Sequence, residues 1–128
     1  MVGPRRPRPE RRRGVRCSAW RFHGLVLRAC SRLPAAVQIN LRNVAIVVED
    51  APEGYSEIDG QPLGLYQGTP VGERGTGYSL VLPDKVTIFR RPLLRACHTW
   101  HQLRSEVELT VLHEIGHHFG IEDHELPF

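Results

Sequence analysis

The sequence predicts an α+β fold: a small, mostly antiparallel or mixed sheet packed on one face by helices, ending in one well-marked helix near the C-terminus. Three observations predict it. Apolar residues recur at helical spacing at both ends of the chain and at strand spacing in the middle. The stretches between are short, and the order they give is α, α, β, β, β, β, α, α. A chain of 128 residues is long enough for one core and too short for a core plus a separate lobe.

The expected domain covers residues 18–128, preceded by a disordered Arg- and Pro-rich tail at 1–17. Residues 1–16 hold seven of the 17 basic residues and one of the 14 acidic ones, so the remaining ten and thirteen leave the domain mildly acidic. The net charge of +3 and pI of 9.1 are therefore properties of the tail, and nucleic acid is supported as a partner by that tail alone.

From Trp20 to Leu33, Phe22, Leu25, Val26, Ala29 and Leu33 repeat at helical spacing. Pro34 breaks this helix and opens a short second one through Val37 and Leu41. Asn43 to Glu49 is apolar on both faces, which predicts a central strand. Residues 51–62 lack a period and read as a loop, Leu63 to Tyr66 as a short strand, and Gly68 to Gly77 as a mobile loop beside the site. No phosphate-cradling glycine motif opens a helix there. Tyr78–Leu82 and Val86–Arg90 are expected strands separated by a turn at Pro83-Asp84. Pro92 to about Trp100 reads as helical. A last helix follows, capped by Ser105 with Glu108, its apolar stripe formed by Val107, Val111, Leu112, Ile115 and Phe119.

Cys17, Cys30 and Cys97 are widely spaced and include no Cys-x-x-Cys pair, which argues for inert thiols and against a sulfur-ligated zinc site. No stretch approaches the ~20 apolar residues of a membrane span, and the Arg-rich start lacks the apolar run of a secretory signal. A cytoplasmic protein without membrane contact is expected.

The chemistry is concentrated in His113-Glu114-Ile115-Gly116-His117. Two histidines four apart on a helix are offset by about 40° and about 6 Å, so both imidazoles reach one cation from the same face. Glu114 projects beside that point, where it could hold a water. Two His ligands with a neighbouring general base form the metallopeptidase arrangement. Gly120 can turn the chain sharply and return Asp123 as third ligand; Glu122 and Glu125 flank it and are the alternatives. Two imidazoles, one carboxylate and a water match an open catalytic zinc site, one Zn2+ per chain. His118 points about 100° away from His117 and reads as a structural or supporting residue. Tyr66, Tyr78, His98, His101 and His124 are candidate donors to a developing oxyanion.

The run Thr110 to Ile121 with Asp123 resembles the small bacterial zincin-like metallopeptidases, the "minimal metalloprotease" family. Asn43–Asp50, Leu63–Pro70 and Leu82–Arg90 resemble its other blocks, and the likeness extends over about residues 20–126. It implies a compact α+β domain with a metal held by His113, His117 and Asp123. Cys97 to His101 departs from it, standing where a more acidic lead into the helix is expected. Two functions compete: a zinc-dependent peptidase acting on a peptide or protein, with Glu114 as its catalytic base, or a metal-binding domain without turnover that binds a protein partner.

Overall fold

In the computed structural model, which describes residues 14–39, 41–56, 60–68 and 84–119, the elements follow the expected alternation. They are α1 (Ala19–Ser31), α2 (Ala35–Ile39), β1 (Val44–Glu49), β2 (Gly64–Gln67), β3 (Asp84–Phe89), α3 (Arg90–Ala96) and α4 (Trp100–His118). The strands form a mixed sheet in the order β1-β3-β2. β1 runs parallel to β3, with Val44 opposite Asp84, and β2 runs antiparallel to it, with Gly64 opposite Ile88 and Tyr66 opposite Val86. The expected strand at Tyr78–Leu82, the tail at 1–13 and most of the Gly-rich loop lie outside the described residues.

Ser18 caps α1 by accepting the Arg21 amide at 3.2 Å, and Phe22, Val26 and Ala29 form its buried stripe. That stripe packs on Leu103, Val107, Val111 and Ile115 of α4 and, with Val86 and Ile88 of β3, makes the core. At the surface, Arg21 lies 4.4 Å over the Trp100 ring and Arg32 pairs with Glu108 at 2.8 Å. The Arg32–Glu108 pair is exposed and contributes no more than about 1 kcal/mol, so the apolar seam holds α1 against α4.

The structure corrects the sequence reading in four places. Among the described strands β3, not β1, is central; Val86 and Ile88 are buried on one face and Thr87 and Phe89 on the other, whereas β1 is only half-buried. The expected turn at Asp84 is instead the first residue of β3, fully buried. The helix expected from Pro92 to Trp100 spans Arg90–Ala96, and Cys97 to Thr99 break it. Finally, α4 starts at Trp100. Its cap is Thr99, whose side chain accepts the Gln102 amide at 3.1 Å while the Gln102 side chain accepts the Thr99 amide at 3.3 Å. Ser105 and Glu108 therefore lie inside the helix, because Leu103 continues the buried stripe one turn ahead of Val107.

Gly14 to Cys17, expected in the tail, pack on the domain. The Val15 amide donates to the Cys97 carbonyl at 3.2 Å, Arg90 Nη1 donates to the Cys17 carbonyl at 2.8 Å, and the Cys17 side chain is buried. Arg90 also holds Asp50 at 2.9 Å, so one guanidinium joins the chain start to the end of β1. All three cysteines are free, and burial pushes the Cys97 thiol up to about 11. Among the described residues no helix is long and apolar enough to cross a membrane.

Candidate metal centre

Alternation along the strands decides which residues meet α4. Asp84, Val86 and Ile88 share one face of β3, and their partners Tyr66 and Gly64 share that face on β2. Over this face lie the last turns of α4. A Cβ built on Gly64 would stand 3.0 Å from Glu114 Cγ and 3.0 Å from Thr110 Cγ2, so the absence of a side chain lets β2 approach the helix closely. Between the two elements opens a cavity of about 530 Å3 lined by Gly64, Leu65, Tyr66, His113, Glu114 and His117, among others.

His113, Glu114 and His117 converge at this cavity, each offering a donor atom, all within 4.8 Å of one another. The two imidazole rings sit edge to face with centroids 4.8 Å apart, and His117 Nδ1 lies 3.3 Å from Glu114 Oε1. Both histidines are half-buried, while Glu114 is 6 % exposed. The donor chemistry fits a metal: the two imidazoles are ligands that zinc accepts, and the Glu114 carboxylate stands beside them. Tetrahedral ligands at about 2.1 Å from an ion stand about 3.4 Å apart. The donor atoms of this cluster lie within 4.8 Å of one another, a somewhat wider spacing. Asp123, with Glu122, His124 and Glu125, falls outside the described residues.

Behind the histidines is a group that the sequence did not reveal. His118, 1 % exposed, places Nδ1 2.7 Å from Asp84 Oδ2, and the Tyr66 hydroxyl donates to the same oxygen at 2.6 Å. The Tyr66 hydroxyl is thereby directed at Asp84, although the residue also lines the cavity. His98 and His101 lose their case as oxyanion donors by distance. They stand at the opposite end of α4, and the twelve residues from His101 to His113 span about 18 Å at 1.5 Å per residue. Tyr78 lies outside the described residues. His118 is buried against Asp84 and is not among the residues lining the cavity. The role of Asp84 had no local signal, since Pro83-Asp84 carries the composition of a turn.

The chain matches the zincin-like metallopeptidase family over residues 41–127. Its structure is similar to that of a conserved hypothetical protein from Thermo thermophilus, at 25% identity and a TM-score of 0.56, covering 80% of this chain and 94% of that one. No curated protein matches at the same stringency. The match takes in β1, β2, β3 and all of α4, the elements that build the cavity and its His-Glu-His cluster, and this chain belongs to the zincin-like metallopeptidase family.

Proposed function

We propose that this protein is a zinc-dependent hydrolase of peptide or amide bonds, with His113, His117 and Asp123 as metal ligands and Glu114 as general base. The observation that carries the reading is the convergence of two imidazoles and a buried carboxylate on one cavity wall. A closed structural site has no use for a carboxylate in that position.

Zinc in such a ligand set supplies Lewis-acid polarisation of a carbonyl and acidifies water toward a pKa of about 7. The rest is work for the chain. His113 and His117 present their ring nitrogens from successive turns of α4, so the helix fixes their separation. Glu114 accepts the proton of the attacking water at its carboxylate and passes it to the leaving amine. Its side chain lies against Gly64 of β2, where a Cβ would stand 3.0 Å from Glu114 Cγ, and it lines the cavity. Thr110 Oγ1 donates to the Glu106 carbonyl at 2.7 Å, so it does not compete for the carboxylate.

The test compares zinc-loaded wild type with Glu114→Gln against a broad peptide library. The variant is expected to keep its zinc and fold and to lose hydrolysis by about a hundredfold or more, the scale of a lost general base. Equal residual cleavage by the two proteins would overturn the hydrolase. The chain would then act as a metal-binding module toward a protein partner.

A further inference from the structure

We propose that Asp84, together with Tyr66 and His118, is a positioning cluster that sets metal affinity at His113 and His117 by pinning the last turn of α4 to the sheet. The inference rests on the reading that those two imidazoles hold the ion.

Three elements meet in the cluster: β2 through Tyr66, the first residue of β3 through Asp84, and the final residue of α4 through His118. Asp84 is 0 % exposed and His118 1 %. A carboxylate buried so completely is costly unless it is hydrogen-bonded, and an apolar residue would fill the space at no such cost. Packing alone therefore gives no reason for an aspartate here. The surroundings are built around it. Gly68, at φ 151°, passes so close that a Cβ there would collide with the Asp84 carboxylate, leaving no room for a side chain.

Tyr66 donates to Asp84 Oδ2 and His118 Nδ1 lies 2.7 Å from the same oxygen, so one carboxylate oxygen ties β2, β3 and α4 together. The His118 ring is further held edge-on by Tyr66 at 6.0 Å and Phe119 at 5.3 Å. The last turn of a helix ordinarily frays, because its carbonyls lack intrahelical partners. His117 stands in that turn. It projects about 100° around the helix from His118, so fixing one ring against the sheet directs the other toward the cavity. The cluster thus supplies the rigidity that two ligands on a helix end would otherwise lack.

The experiment measures zinc affinity of the full chain by competition with a chromophoric chelator, and the visible spectrum of the cobalt-loaded protein, for wild type, Asp84→Asn and Tyr66→Phe. All are read well below the unfolding temperature of the metal-free proteins. Asp84→Asn should bind zinc about tenfold or more weakly, the lower end of the range seen when residues supporting a metal ligand are changed, with an altered cobalt spectrum. Tyr66→Phe, which removes one hydroxyl, should weaken zinc about threefold. Should Asp84→Asn fail to fold, Tyr66→Phe decides alone. Variants that lose stability yet keep wild-type zinc affinity and cobalt spectrum overturn the positioning role and leave the metal site standing. A wild type that takes up no zinc removes both.

Discussion

Replacing Gly64 with alanine tests how the proposed base is held. The added Cβ would lie 3.0 Å from Glu114 Cγ, 3.0 Å from Thr110 Cγ2 and 3.1 Å from the Thr87 carbonyl oxygen. Carbon atoms pack best at about 3.5–4.0 Å. Something must therefore move by a few tenths of an ångström, and the backbone oxygen on β3 cannot give way without disturbing the sheet. Overpacking of this kind costs about 1–3 kcal/mol, which for a domain of this size lowers Tm by roughly 5–10 °C. The freer neighbour is the Glu114 side chain. A catalytic group displaced by 1 Å can lose about a hundredfold in rate, so a displacement of a few tenths of an ångström should lower kcat by roughly fourfold. Zinc affinity should match wild type, because neither imidazole is among the three atoms nearest the added Cβ.

The control is Gly54→Ala. Gly54 has φ 72° and nothing within 4 Å of a built Cβ, so alanine there strains the backbone without touching the site. It should cost about 1 kcal/mol and leave kcat unchanged. Thermal unfolding and hydrolysis of one library-derived peptide by the zinc-loaded proteins give both numbers. Gly64→Ala with wild-type Tm and kcat would refute the close approach of β2 to α4. A kcat that falls equally in both variants would refute the specific hold on Glu114.

His113→Ala or His117→Ala should each abolish stoichiometric zinc, measured by metal analysis of purified protein, and full metal content in both would end the metal site. Asp123→Ala should weaken zinc far more than Glu122→Ala or Glu125→Ala; loss in Glu125→Ala with retention in Asp123→Ala reassigns the third ligand. Thr99→Ala should lower stability by about 1 kcal/mol while Ser105→Ala is neutral or slightly stabilising, read from urea midpoints; the reverse order would return the cap to Ser105. With its thiol raised to about 11, Cys97 holds almost no thiolate at pH 8 and should resist iodoacetamide until the protein unfolds, and labelling at the rate of a free cysteine would show that it is not buried.

What could be read from the sequence was local. The His113–Glu114–His117 cluster follows from spacing on one helix, and no tertiary contact is needed to bring those atoms together. The same holds for α1, where Phe22, Val26 and Ala29 repeat at helical spacing. Strand order was not legible. The residues of β1 are apolar on both faces, but hydropathy reports what a strand can bury and not which neighbours flank it. Asp84 was hidden for a related reason. Its burial depends on Tyr66, 18 residues away, and on His118, 34 away, and a Pro-Asp pair out of that context carries only a turn signal.

The misplaced cap shows why an error in one element left the candidate site intact. Thr99 and Gln102 satisfy the same capping pattern as Ser105 and Glu108, and both precede an apolar run, so composition alone does not separate them. Burial of Leu103 separates them, because a helix that starts at Ser105 would leave that residue outside the seam with α1. Moving the start to Trp100 lengthens α4 to 19 residues without altering the relation of His113 to His117. At the other end of the helix, which the start does not affect, His117 falls in the last turn, where the backbone dipoles sum to a partial negative charge that favours a cation. The buried Asp84 carboxylate lies beneath the same turn and, when ionised, adds to that potential. Helix end, buried aspartate and paired imidazoles thus bias one corner of the fold toward a positive ion, and of the three the aspartate is the one placed by tertiary structure.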